Sequence, residues 1–241
     1  MSRFLFYLTS ISLYILTPTI SFAGVMAEAT RVIYQEGQRE RSLMVVNTND
    51  YPVILQSWID KGEGVPSDSA PFIVTPPIVR LAPKSIQGLR IINVDSDIPK
   101  DRESAFWLNL YEVPPTERHG NDQPQLSLAM NTQLKLFYRP KTLKSAPENI
   151  ARSLEVSALK ENNDDQLTLY NPTPYNISVS EIHLGKEKDE TKAEQQPDMM
   201  IPPFTSKNYK IPSSNRPNFS HILVKTINDA GFEEEVLLRT E

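Results

Sequence analysis

The side chains that most often carry catalysis are few in this chain of 241 residues. Histidine serves proton transfer near neutral pH, but His119, His183 and His221 are too widely spaced for a metal-ligand pattern. There is no cysteine, no Gly-x-Ser-x-Gly motif and no phosphate-binding glycine loop. We therefore predict that each histidine is a surface or loop residue, that no metal or cofactor is bound, and that the protein is not an enzyme.

One segment, residues 125–138, has a pattern suited to binding. Its apolar residues of one parity are Leu126, Leu128, Met130, Leu134 and Leu136. Alternation with period two predicts a strand with one apolar face, and an ordinary core strand is the simplest interpretation. The pattern exceeds the usual strand length of about five or six residues, and a polar stretch, residues 116–124, precedes it. Such a strand can also extend past its sheet and offer apolar side chains to a partner by edge pairing.

Short alternating segments recur along the chain, and they predict the strands that would position these residues. No apolar stripe of helical period and length occurs, so we predict an all-β fold built from sandwiches. Pro and Lys cluster at residues 139–147 and separate a second, smaller sandwich from the first. The charged stretch 186–196 is predicted to be a solvated loop, with a binding tail as the alternative. The predicted strands are residues 41–47, 53–59, 89–94, 106–111 and 125–138, then 154–159, 166–170, 175–182 and 222–226.

The first 23 residues predict a cleaved secretory signal peptide. Arg3 lies in a short basic start, an apolar stretch follows, and Ser21-Phe22-Ala23 places small residues before the cleavage point. Polar residues and Pro18 interrupt the apolar stretch, which argues against the alternative of a transmembrane helix. Cleavage after Ala23 would leave two predicted domains, residues 24–141 and 146–241. The net charge of −5 does not favour binding to nucleic acid, which needs a basic surface.

Several segments, taken in their order and spacing, resemble the periplasmic fimbrial chaperones of the chaperone–usher pathway, most closely those of the P-pilus type. No single segment is decisive, but their joint arrangement is specific and covers most of the chain after residue 23. The matching segments are residues 29–34, 56–59, 75–83, 101–110, 113–115, 135–140 and 171–175.

The resemblance implies two immunoglobulin-like domains in an L shape with a cleft between them. Arg31 and Lys135 match two basic residues that hold the C-terminal carboxylate of a bound subunit through charge-assisted hydrogen bonds. Leu126, Leu128 and Met130 match an apolar row that fills the groove of an incomplete subunit, a form of strand addition. Lys135 has the opposite parity to Leu128, so either a bulge intervenes or the two sets face different ways.

Glu103, Arg139 and Asp229 match an ion network that joins the two domains in this family. Asp229 rests on a short match of its own, residues 227–229. The stretch between Pro115 and Lys135 is slightly longer than expected for the P-pilus type, but it lacks the cysteine pair of many long-loop relatives. We therefore favour the short-loop subclass.

The function implied by the resemblance is that of an ATP-independent chaperone for pilus assembly. The protein would cap fimbrial subunits in the periplasm and deliver them to an outer-membrane usher. Whether the free protein caps itself as a homodimer stays open. One alternative is a secreted immunoglobulin-like adhesin or structural subunit, although only seven residues would separate the cleavage point from Arg31. A second alternative is a periplasmic hydrolase or metal enzyme on a sandwich fold.

A first prediction concerns processing. The periplasmic form should begin at Gly24, because Ser21 and Ala23 place small residues where a signal peptidase requires them. N-terminal sequencing of the protein from a periplasmic fraction checks this, and recovery of an intact Met1 there would contradict it.

Overall fold

The computed structural model describes residues 24–66, 70–95, 97–115, 128–144, 146–161, 164–185, 191–212 and 221–238. Strands dominate this part of the chain, and its only helical element is a short 3-10 helix, Ile150–Ser153. The prediction of an all-β fold is confirmed. The strands are β1 (Val25–Ala27), β2 (Arg31–Gln35), β3 (Arg41–Asn47), β4 (Val53–Asp60), β5 (Phe72–Thr75), β6 (Ile78–Leu81), β7 (Ile86–Asn93), β8 (Ser104–Val113), β9 (Met130–Arg139), β10 (Glu155–Glu161), β11 (Asp164–Tyr170), β12 (Ile177–Leu184), β13 (Thr191–Lys192), β14 (Met200–Ile201), β15 (Ser206–Ile211), β16 (Ile222–Ile227) and β17 (Glu233–Leu238).

The first sandwich packs a four-stranded sheet, ordered β1-β3-β7-β5, on a five-stranded sheet, ordered β2-β9-β8-β4-β6. All of these pairings are antiparallel except that of β2 with β9, which is parallel. Period-two alternation turns one face of each strand inward. The core between the sheets includes Leu43, Leu89, Leu108 and Leu136, all of them buried.

The second sandwich is built in the same manner from antiparallel strands. One sheet has the order β10-β11-β15, and the other has the order β13-β12-β16-β17, with β14 paired to the start of β12. Leu169, Ile182 and Val224 lie in its core. The buried Tyr209 hydroxyl donates to the Met199 carbonyl at 2.9 Å, so a polar group inside this core has a partner.

Each sandwich is closed at one corner by a fully buried asparagine that follows the same bonding pattern. Asn47 ends β3, and Asn171 directly follows β11. Each side-chain amide donates to three backbone carbonyls, at distances between 2.7 and 3.4 Å. Because the two corners match residue by residue, the two sandwiches share one local design. The acceptors are Tyr51, Leu81 and Ala82 in the first sandwich, and Tyr175, Ile201 and Pro202 in the second.

Every predicted strand overlaps an observed one, although most bounds differ by a few residues. The segment predicted at 125–138 begins as a strand only at Met130, and Leu128 lies just before it. Leu126 lies outside the described residues. Within those residues, no helix is long and apolar enough to cross a membrane.

The predicted solvated loop at 186–196 is wrong at its centre. Residues 186–190 are outside the described part, but Thr191 and Lys192 form β13, and both Thr191 and Ala193 are buried. The short strand pairs with the end of β12, so the chain returns to the core despite its charged composition. His183, predicted to be a surface or loop residue, lies within β12, and its Nε2 is 2.8 Å from a Glu181 carboxylate oxygen.

Candidate functional site

Two cationic side chains lie next to each other where β2 begins. Arg31 is the first residue of β2, and it stands directly opposite Lys135 in the parallel pairing with β9. Paired residues of neighbouring strands lie about 4.8 Å apart and project from the same face of the sheet. The structure therefore brings together the two residues that the family resemblance assigned to a carboxylate site.

Arg31 reaches from the first sandwich to the second. Its Nη1 donates to the Ile227 carbonyl at 2.8 Å and to the Ser178 hydroxyl at 3.4 Å. The guanidinium carbon lies 6.0 Å from the centre of the Phe137 ring. Its Nε is buried and has no hydrogen-bond partner among the described residues.

Burial lowers the pKa of the Arg31 guanidinium, since removal from water disfavours a charged group, although Asp229 and Glu103 partly oppose this effect. The pKa of Lys135 is lowered as well, first by burial and then by the like charges of Arg31 and Lys207. Asp198, whose Oδ1 is 3.7 Å from the Lys135 Nζ, acts in the opposite direction. Two adjacent, partly desolvated cations are unfavourable by themselves, and such an arrangement is typical of a binding site for an anion.

A cavity of about 180 Å³ lies beside Arg31, between the two sandwiches. Its wall includes Arg31 and Phe137 from the first sandwich and Ser178, Ile227 and Asp229 from the second. Charged and apolar groups therefore line the same cleft. Among the described residues, no cluster of acidic and histidine side chains could hold a metal ion.

The first half of β9 has an open edge. β2 pairs with β9 only from Lys135 to Arg139, whereas β8 pairs with it along Met130 to Tyr138. Among the described strands, none pairs with the other edge of the segment 130–134. Met130 is 53% exposed and Leu128, just before the strand, is 68% exposed. An exposed apolar row beside unpaired backbone groups is suited to strand addition.

The pairing of β8 with β9 also decides how the apolar row and Lys135 are oriented. Residues pair one to one from Glu112 and Met130 to Ser104 and Tyr138, without a bulge. Side chains alternate along an unbroken strand, so Met130 and Lys135 point to opposite faces. The sequence left two arrangements open, a bulge before Lys135 or side chains that face different ways. Within β9 there is no bulge, and the side chains face different ways.

A buried ion network links the two sandwiches. Arg139, at the end of β9, donates to Glu103 Oε1 from Nε at 3.0 Å and from Nη2 at 2.7 Å. The same guanidinium donates to both carboxylate oxygens of Asp229, at 2.8 and 3.2 Å. The second oxygen of Glu103 accepts from the Asn176 backbone at 2.9 Å and from its side chain at 3.1 Å. The structure thus brings Glu103 and Asp229, two residues that the family resemblance grouped with Arg139, into contact with the Arg139 guanidinium.

Comparison with known proteins places both halves of the chain in one family. Residues 24–144 match the family model described as "Pili and flagellar-assembly chaperone, PapD N-terminal domain". Residues 147–236 match "Pili assembly chaperone PapD, C-terminal domain". The chain belongs to the PapD family of pili assembly chaperones.

Individual relatives agree with this assignment. The chaperone is 37% identical over 213 residues to the chaperone protein FocC of Escherichia coli, covering 88% of this chain and 87% of FocC. It is 35% identical over 211 residues to FimC of Escherichia coli K12, covering 87% and 81% of the two chains.

Solved structures of related chaperones share its fold. The YadV chaperone matches with a TM-score of 0.75 and 31% identity, over 90% of this chain and 100% of the matched chain. The complex of the Salmonella enterica SafA pilin with the SafB chaperone also gives a TM-score of 0.75 at 31% identity, over 92% and 99%. Two immunoglobulin-like domains are therefore confirmed, and the alternative of an adhesin or structural subunit is not favoured.

Several polar residues of the chaperone's cleft were not among the residues predicted from the sequence. Asn176 and Ser178 closely follow the matching segment 171–175. Extending that match by one residue would have included Asn176. No sequence pattern marks Asp198 or Lys207 as part of a site, because each is a single charged residue in a polar segment. Only folding places them beside Lys135, since they lie in the second sandwich.

The ion network generates a prediction about stability. Glu103 and Arg139 side chains are each 2% exposed, whereas Asp229 is 40% exposed. Glu103→Ala leaves the buried guanidinium short of a partner and should lower the free energy of unfolding by about 3–5 kcal/mol. Asp229→Ala removes a more exposed charge and should cost about 1 kcal/mol or less. Urea unfolding followed by tryptophan fluorescence measures the free energy of unfolding of both variants. Equal losses would contradict the view that burial of the charged side chain sets the size of the loss.

Proposed function

We propose that this chaperone caps fimbrial subunits in the periplasm by donating β9, and that Arg31 and Lys135 bind the subunit's C-terminal carboxylate. The open edge at residues 130–134, ending at the two cations, is the observation that carries the proposal. The relative SafB, whose structure is solved in complex with the SafA pilin, supports a pilin as the class of partner.

The topology favours one direction for the added strand. β2 already occupies the edge of β9 from Lys135 onward. A strand added along residues 130–134 would therefore end against the first residue of β2, which is Arg31. If it runs parallel to β9, its C-terminus meets Arg31 and Lys135, whereas an antiparallel strand would carry its C-terminus away from them.

The chemistry of the two cations fits a terminal carboxylate. Such a carboxylate offers two oxygens and about four lone-pair sites, enough for donors from both side chains. Charge-assisted hydrogen bonds of this kind are among the stronger ones in proteins. The bound anion would also relieve the repulsion between Arg31 and Lys135.

The apolar row would supply much of the remaining affinity. Leu128 and Met130 are exposed, and Leu126, outside the described residues, continues the same parity. Burying each of them in a subunit groove contributes roughly 1.5–3 kcal/mol, before the cost of ordering the strand. The ion network of Glu103, Arg139 and Asp229 would then fix the angle between the domains, so that both cations face the cleft.

The remaining parts of the proposal follow the family. Residues 1–23 would direct export, and the domain boundaries would lie at 24–141 and 146–241. Delivery to an outer-membrane usher would follow capping, with no ATP, cofactor or catalysis involved. Co-purification from periplasm and mass spectrometry of the partner would identify the subunit.

Leu128 tests the donated strand. Leu128→Glu should abolish co-purification of the subunit and leave the chaperone folded, because this side chain is 68% exposed. As a matched control, Leu136→Ala changes a fully buried residue of the same parity and should cost about 2–5 kcal/mol of stability. A loss of more than about 2 kcal/mol in Leu128→Glu would instead assign Leu128 to the chaperone's own core.

Arg31 and Lys135 test the carboxylate site. Arg31→Ala or Lys135→Ala should each weaken binding of the subunit's C-terminal peptide by about 2–5 kcal/mol, because a desolvated carboxylate loses a donor. The double variant should lose less than the sum, since both residues serve one group. Amidation of the peptide should weaken binding to the wild type far more than to the double variant. Equal weakening in both proteins would show that these residues hold some other group.

A further inference from the structure

Asp198 lies between two lysines that belong to different sandwiches. Its Oδ1 is 3.7 Å from the Nζ of Lys135, and its Oδ2 is 3.6 Å from the Nζ of Lys207 in β15. Oδ1 also accepts a hydrogen bond from the Met200 backbone at 2.9 Å, which holds the carboxylate in place. The second domain therefore presents its own carboxylate to Lys135.

We propose that Asp198 is an internal competitor for Lys135, which limits how tightly the chaperone holds a subunit's terminal carboxylate. The proposal rests on the carboxylate site proposed above and adds a residue that tunes its affinity. Asp198 and the incoming group carry the same charge and the same two oxygens, so they compete for one ammonium. They also repel each other when both lie near it.

The geometry of Asp198 suits a competitor more than a fixed clamp. Both of its distances to lysine exceed a normal hydrogen bond. The carboxylate is 48% exposed, while Lys135 is 25% exposed, so water can replace one partner as the other leaves. An ion pair of this kind is weak, and a subunit that brings its own carboxylate can displace Asp198 from Lys135.

Lys207 gives the displaced carboxylate a second partner. Because Asp198 contacts both lysines, it can keep its contact with Lys207 when Lys135 turns to the subunit. Lys207 therefore favours release of Lys135, although it adds to the positive charge around that residue. A chaperone must hand its subunit on, and a site with a built-in competitor binds less tightly and releases faster than one without it.

The test compares Asp198→Asn with the wild type. Asparagine keeps an acceptor for the Met200 backbone but removes the charge. The probe is the C-terminal peptide of the co-purified subunit, with a free carboxylate or an amide, at pH 6.5 so that Lys135 stays protonated. Asp198→Asn should bind the carboxylate peptide about two- to fivefold more tightly and release it more slowly, with no change for the amide.

Glu194→Gln is the matched control, because it removes one negative charge from an exposed position of the same segment. It should leave the affinity for both peptides unchanged. If Glu194→Gln strengthens carboxylate binding as much as Asp198→Asn, the effect is one of net charge and the proposal is overturned. It is also overturned if Asp198→Asn leaves the affinity unchanged or weakens it.

A double-mutant cycle separates competition from simple attraction. Lys207→Met should weaken carboxylate binding in the wild type. If Lys207 acts through Asp198, most of this loss should disappear in the Asp198→Asn background. An equal loss in both backgrounds would mean that Lys207 attracts the subunit directly, and the role of Asp198 as its partner would fail.

A measurement without ligand completes the test. NMR titration of the Lys135 side chain in the free chaperone should show a lower pKa in Asp198→Asn, because a stabilising negative charge is gone. An unchanged pKa would show that the two groups do not interact, which overturns the proposal.

If the wild type binds carboxylate and amide peptides equally, the proposed carboxylate site itself fails. If it discriminates but Asp198→Asn binds no tighter, only the role of Asp198 fails.

Discussion

The parallel pairing of β2 with only the second half of β9 is the constraint on which the functional surface depends. It covers β9 from Lys135 onward and leaves residues 130–134 with one edge that no strand of the described residues pairs. The unpaired backbone groups of a strand edge can form hydrogen bonds with another chain. The first sandwich therefore presents this part of β9 as a docking edge. The same pairing sets Arg31 beside Lys135, which puts two positive charges at the inner end of that edge.

Electrostatics divides the space between the domains into two parts with different roles. At Arg139, both carboxylates are in place, and although burial disfavours the charged guanidinium, hydrogen bonds to Asp229 and Glu103 raise its pKa. At Arg31 and Lys135, positive charge is in excess, and burial lowers the pKa of both groups. The first site is internally satisfied and suited to holding the domains together. The second is incomplete and suited to an anionic partner.

The sequence predicted the strands well, because period-two alternation records which face of a strand is buried. It predicted β3 with its observed bounds. It failed at β13, where Thr191 and Ala193 are buried within a charged stretch. Two residues are too few for a periodic signal, and only the pairing of β13 with the end of β12 shows that the chain turns back to the core there. The resemblance to a family, rather than any pattern, supplied Arg31, Lys135 and the ion network.

The sequence by itself determined the all-β class, the two sandwiches and the apolar row of β9, because local alternation and turn residues encode them. Only the tertiary structure decided that Met130 and Lys135 face opposite ways, since that depends on an unbroken register with β8. It also decided the surroundings of Lys135. Asp198 and Lys207 are more than 60 residues away along the chain and meet Lys135 only because the two sandwiches pack together. Contacts between residues so far apart cannot be predicted from local sequence patterns, because the residues next to Asp198 or Lys207 in the chain do not indicate which distant side chain each will contact.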